Sequence, residues 1–314
     1  MEIAVVVGLI TEDVFVSIPN RGTNAAVFRG YGGILHALSA FSASNTHTAV
    51  VSLSTDEALR EIREIFDGRL LPDFQSVHTT RDALPRCCLC WAPGAREPVE
   101  HTTTHGKAIR IDAILSTLER VGARSVYVNF MLGHDVDVST VIELAERGYR
   151  IFLDPHMFLY QRDRLGARFL EPPNGWESLF CAADYLQLNR PEFESILLKL
   201  GENPSESGAE DHLLTHLWDL GGRTLGLVIT SSRRVVRCHR DGDNVSSRSW
   251  LVKTIRPSKR FFTIGCGDVF GAGIFRGLLE DWSLKGFDNG VEMGTMWARS
   301  AANVPGISRH FIEL

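Results

Sequence analysis

Cysteine is scarce in this 314-residue chain. Cys87, Cys88, Cys90, Cys181, Cys238 and Cys266 are too few and too unevenly spread for a disulfide framework, so a reducing, cytoplasmic setting is expected. Long apolar runs are missing too. None approaches the roughly 18 residues of a membrane span, so no membrane partner is expected. The opening residues, MEIAVVVG, are too short and too acidic for a secretion signal and read as a buried strand. A basic excess is also lacking. The net charge of −5 argues against nucleic acid as the main partner, although a local basic pocket for a nucleotide phosphate stays compatible with it. Neither an internal repeat nor a low-complexity tract is found, and residues 202–208 are the best loose loop.

What is present is an alternation of short β-rich runs with amphipathic helical stretches. Strands are expected near 3–8, 48–53, 125–130, 150–154, 185–189 and 225–230. Helices are expected near 33–41, 56–66, 111–121, 139–147, 191–200, 268–279 and 290–303. Such alternation implies a mostly parallel sheet covered by helices on both faces. Residues 14–31 and 86–104 break the rhythm. They are strand-like with no helix between, as a small β lid projecting from the main body would be. Single-domain organisation over 1–314 is expected.

The most informative stretch is Thr263-Ile264-Gly265-Cys266-Gly267-Asp268-Val269-Phe270-Gly271-Ala272-Gly273. Two glycines flank Cys266 just before an amphipathic helix. Helix N-termini carry unpaired N–H groups and partial positive charge, and glycine lets backbone approach a phosphate. An aspartate there would lie beside a transferring phosphoryl group, where it could accept a proton. The plainer account is a loop with a helix-capping aspartate.

The stretch resembles the second signature of the ribokinase-like (phosphofructokinase B) family of carbohydrate and nucleoside kinases, D-T-x-G-A-G-D followed by an apolar residue and phenylalanine. Thr263, Gly265, Gly267, Asp268 and Phe270 match it; Cys266 replaces the alanine. Gly8 with Asp13 five residues on resembles the family's first strand, Gly32-Gly33 its G-G pair, and Asn189-Arg190-Pro191-Glu192 its N-x-x-E motif. The resemblance implies a three-layer αβα sandwich with a β lid, and ATP-dependent phosphorylation of a hydroxyl on a small sugar or sugar acid. Under it, Asp268 is the general base and the amides of Gly265, Cys266 and Gly267 form the anion hole. Asp13, Gly32 and Gly33 bind the acceptor. Asn189 and Glu192 hold Mg²⁺ through water, and Thr230, Ser232 and Thr263 lie on the ATP side. Asn129 and Asp154, each ending a strand, are further acceptor contacts, because ligands in open α/β sheets bind beyond the carboxyl ends of strands.

Several positions depart from the family. Phe262 stands where the signature opens with aspartate, Ala37 where an asparagine often follows the G-G pair, and Ser232 where a glycine ordinarily faces ATP. A phenyl ring offers a cation no oxygen, so little K⁺ activation is expected. Cys88, Cys90, His101 and His105 imitate a zinc pattern, but alternation about Leu89 reads better as a strand. Arg233, Arg234 and Arg237 read as solvated surface. A nucleoside kinase remains open, with Phe15, Phe28, Tyr31 and Trp91 as aromatic partners for a base. So does a non-catalytic binding protein on a decayed kinase fold. An exposed lid edge makes a homodimer the expected assembly.

Overall fold

The computed structural model describes residues 2–17, 26–91, 99–102, 107–164, 167–206, 208–231, 234–242, 244–252, 264–303 and 312–313. The main sheet has nine strands. Its parallel part runs, in spatial order, through β13 (Gly226–Thr230), β12 (Tyr185–Asn189), β9 (Arg150–Asp154), β8 (Ser125–Asn129), β1 (Ala4–Val7), β4 (Thr48–Ser54) and β5 (Asp73–Thr79). An antiparallel hairpin, β14 (Arg234–Asp241) and β15 (Asn244–Leu251), is added at the β13 edge. The chain reverses strand order beside β1, the kind of switch point where open α/β sheets bind ligands.

Side-chain alternation along these strands builds two cores. Val5, Val7, Val126, Val128, Ile151 and Leu153 face one side, where they pack on α3 (Ile111–Val121), α4 (Val138–Glu146), α5 (Trp176–Cys181), α6 (Arg190–Lys199) and α7 (Ala209–Asp219). Ala4, Val6, Tyr127, Phe152 and Tyr185 face the other, against α1 (Leu35–Ala43), α2 (Asp56–Ile65), α8 (Cys266–Glu280) and α9 (Leu284–Asn303). The expected three-layer arrangement is present. The last helix starts six residues before the 290 expected, because Phe287 continues its buried stripe.

Helices α8 and α9 touch backbone to backbone. A Cβ at Gly273 would overlap Gly294, and one at Gly277 would stand 2.6 Å from the Gly290 Cα. Close approach of this kind needs small residues at the crossing, and it fixes the helix that carries Asp268.

The expected lid is a second sheet in the order β16 (Ile312–Glu313), β3 (Ala26–Gly33), β2 (Ile10–Ser17), β6 (Arg86–Trp91), β7 (Val99–Thr102). Cross-strand register sets Asp13 opposite Cys87, and Cys88 opposite His101. A short hairpin, β10 (Tyr160–Arg162) and β11 (Arg168–Leu170), follows the 3-10 turn His156–Leu159 and meets β7 through a bridge from His101 to Ala167. Among the described residues no helix is long and apolar enough to cross a membrane. Arg237 corrects one expectation. It is buried rather than solvated, with Nε 2.8 Å from Asp288 Oδ1, because β14 is an inner strand of the added hairpin; Arg234 is exposed and Arg233 lies outside the described residues.

Candidate active site

Asp13, Asn129, Asp154, Gln187 and Asp268 gather above the carboxyl ends of β8, β9 and β12. Asp13 comes down from β2, is buried, and accepts a 2.8 Å hydrogen bond from Thr11 Oγ1. A Cβ at Gly32 would fall inside the Asp13 carboxylate, so this glycine makes room for it. Gly33 takes a left-handed φ of +66° against the Leu9 carbonyl, which turns the chain from β3 into α1.

The turn before α8 is closed by Gly265, at φ +75°, a conformation other residues rarely adopt. The first N–H groups of the helix, from Cys266 onward, are unpaired by the helix itself. Asp268, in that first turn, accepts a 2.8 Å bond from Asn129 Nδ2, which also reaches the Tyr127 hydroxyl at 3.1 Å. Gln187 ties the turn to the sheet: its Nε2 donates to Asp154 Oδ2 at 2.8 Å and to the Gly267 carbonyl at 3.0 Å. Asn129 Oδ1 and Gln187 Oε1 are buried without a hydrogen-bond partner among the described residues.

These carboxyl groups share one charge field. Burial, then the Asp268 charge, pushes Asp154 up to about 8. Burial also raises Asp268, while His36, the Asn129 hydrogen bond and His156 pull it back toward the ionised form. For His36, burial works against the charge, but Asp13 and Asp268 outweigh it and the net shift is upward. Its Nε2 lies 3.9 Å from Asp13 Oδ2, long for a hydrogen bond, and its ring fills the space a Cβ at Gly265 would take.

Asn189 and Glu192 form a capping box at the start of α6. Glu192 Oε2 accepts from the Asn189 N–H at 2.8 Å, and Asn189 Oδ1 accepts from the Glu192 N–H at 2.9 Å. Glu192 Oε1 accepts from Asn189 Nδ2 and also meets His156 Nδ1, both at 2.6 Å. For His156, burial opposes the charge, but Glu192, Asp154 and Asp268 raise it to about 9, so it sits as a cation on that carboxylate. With Glu192 so engaged, and no group of three metal-ligating side chains among the described residues, the arrangement does not fit a metal held directly by the chain. Thr230, at the end of β13, donates to the Leu188 carbonyl at 3.4 Å. Ser232, Phe262 and Thr263 lie outside the described residues.

Structure thus brings Asp13, Gly32, Asn129, Asp154 and the Gly265–Asp268 turn together, with Asn189 and Thr230 on adjacent strand ends and Glu192 in the first turn of α6. Sequence reasoning missed His36, Tyr127 and Gln187. Tyr127 and Gln187 sit inside apolar strand runs, where alternation gave no sign of function. His36 is one residue before Ala37, the position that departs from the family's asparagine after the G-G pair.

No family model matches the sequence, and no curated protein matches it. Solved structures do. A ribokinase from Thermotoga maritima superposes with a TM-score of 0.70 at 16% identity, over 98% of this chain and 95% of that one. A Burkholderia thailandensis nucleoside kinase in complex with inosine gives 0.66 at 16%, over 98% and 96%. A pyrophosphate-dependent kinase in the ribokinase family, complexed with a pyrophosphate analog and myo-inositol, gives 0.66 at 13%, over 98% and 96%. Likeness across nearly the whole of both chains shows that the protein has the ribokinase-like fold.

Proposed function

We propose that this chain is a phosphotransferase that moves the γ-phosphoryl group of ATP, supplied as its Mg²⁺ complex, to a hydroxyl of a small sugar or sugar acid. The carrying observation is Asp268, hydrogen-bonded to Asn129 in the first turn of α8, beside the unpaired amides of that same turn. In this reading Asp13 accepts a hydrogen bond from the acceptor, and Asn129 and Asp154 border it. Asp268 takes the proton of the attacking hydroxyl. A bond forms between that oxygen and the γ-phosphorus as the β,γ-bridging bond breaks, and ADP leaves. The amides of Gly265, Cys266 and Gly267 meet the charge on the phosphoryl oxygens. Thr230, Ser232 and Thr263 belong to the donor side, and Asn189 and Glu192 act through water on the metal that ATP brings. Residues 1–314 work as one kinase unit with its lid.

A second reading has a nucleoside as acceptor. It is favoured by a small apolar cluster in which Phe15, Cys87 and Leu89 of the lid pack with Ile264 of the turn before α8, so that a base entering between lid and turn would meet apolar side chains. One assay separates the readings: transfer from ATP and from pyrophosphate to a panel of sugars, sugar acids and nucleosides. Product with sugars or sugar acids supports the first reading, product with nucleosides only the second. Product from pyrophosphate alone overturns the choice of ATP. No product with any pair overturns both and leaves a non-catalytic binding protein.

A further inference from the structure

The β10–β11 hairpin sets Arg162 directly opposite Arg168. Like charges in that position repel, so such a pair needs a reason. Neither residue is simply solvated. The Arg168 side chain is 8% exposed, and the Nε atoms of both arginines are buried without a hydrogen-bond partner among the described residues. Arg168 has one carboxylate, Glu100, which also accepts from Cys87 Sγ at 2.6 Å. Arg162 donates through Nη2 to the Leu132 carbonyl at 3.2 Å, and among the described residues it forms no ion pair. Two guanidinium groups therefore have one carboxylate in direct contact; the further acid whose charge reaches Arg162, the buried Asp135, is occupied by the N–H groups of Leu9, Met131, Leu132 and Gly133. Burial lowers both arginines, Arg168 to about 10, although Asp135 and Cys87 oppose the shift for Arg162 and Cys87, Glu192 and Asp13 oppose it for Arg168. A buried charge is costly until paired.

The pair also stands at the acceptor end of the site. Cys87 lies opposite Asp13 across β2 and β6 and is within the fields of both arginines and of Asp13. The other acids near Arg168 are engaged: Asp13 with Thr11, Glu192 with the α6 cap and His156. We infer that Arg162 and Arg168 form an anion subsite, and that the acceptor carries one carboxylate or phosphate ester bound there. Arginine's planar fork suits both groups. This inference rests on reading the same site as an acceptor pocket.

Calorimetry without any phosphoryl donor tests it on the full chain. The probes are five- and six-carbon aldonates, the matching sugar phosphates and the neutral alditols of the same skeletons. At least one anionic class should bind about tenfold or more tighter than its alditol, the scale of a charge-assisted contact. Aldonates leading would identify a carboxylate, and sugar phosphates a phosphate ester. Arg162→Gln should erase that preference, and because Arg162 lies only partly buried its fold is easily checked by thermal melting. Arg168→Gln serves as the second variant. The inference is overturned if the wild-type chain shows no preference for anions, including the case where nothing binds, or if the preference survives in both variants. Binding is read apart from transfer, so an inactive protein that still prefers anions sinks the kinase reading alone. A kinase that takes alditols as readily as acids sinks this inference alone.

Discussion

Asp13 and His156 answer different questions at the scale of single residues. Asp13 is buried, held by Thr11 and given room by Gly32, as a group shaped to receive a hydroxyl would be. Asp13→Ala should raise KM for the acceptor about tenfold while KM for ATP changes little, the value of a hydrogen bond to a charged group. Equal rises in both KM values would point to a structural role. His156 makes a prediction about stability. Its pKa is raised to about 9, so its contribution is complete below the ordinary histidine value near 6.5 and is lost as pH rises through 9. Asp154, raised to about 8, acts in the same direction, since the folded state holds its proton more tightly than the unfolded chain does. Tm should therefore fall between pH 6.5 and 9.5, and His156→Gln should shrink that fall. An equal fall in wild type and variant would remove His156 from the account.

Elements decide whether those residues meet. Helix α8 delivers Asp268 and the amides proposed as the anion hole, and its position depends on glycine contacts with α9. A Cβ at Gly294 would collide with the Phe270 carbonyl, one helical stretch from Asp268. Gly294→Ala should destabilise the fold by about 1–3 kcal/mol, the ordinary cost of overpacking, and should lower kcat as the turn moves. Denaturant unfolding and steady-state rates check this; unchanged stability would mean that the two helices part easily. Much at this scale was legible in sequence, for definite reasons. Apolar runs such as Ala4–Val7 and the spacing in α2 follow from burial on two faces or on one stripe. The glycine-flanked turn before α8 was legible too, and Gly265 closes it at φ +75°. The β14–β15 hairpin was not legible, because β15 is largely exposed and carries serine and arginine where a buried strand would carry valine. Nor was the 3-10 turn that directs His156 onto Glu192, since a contact between residues 156 and 192 leaves no local pattern.

At the scale of the whole molecule, a separate β lid accompanies the sheet end at which catalysis is proposed. Sequence order and spacing carried the fold, whereas His36 and Gln187 became visible only when distant segments were brought together. Pairing of two copies through the lid should appear in light scattering as a mass about twice 34.9 kDa, and a mass of one chain would contradict it. Phe262, which leads to the expectation of little K⁺ activation, lies outside the described residues; rates in Na⁺ and K⁺ at fixed ionic strength test it, and a severalfold rise specific to K⁺ would reject it. The most direct test of the central claim compares wild type with Asp268→Asn, using the best acceptor from the panel. Asparagine keeps the size and a contact to Asn129 but cannot take a proton. The account predicts kcat lower by about 10²–10⁴, with ATP affinity by calorimetry unchanged within a fewfold. A variant that keeps more than about a tenth of the wild-type kcat would contradict base catalysis by Asp268.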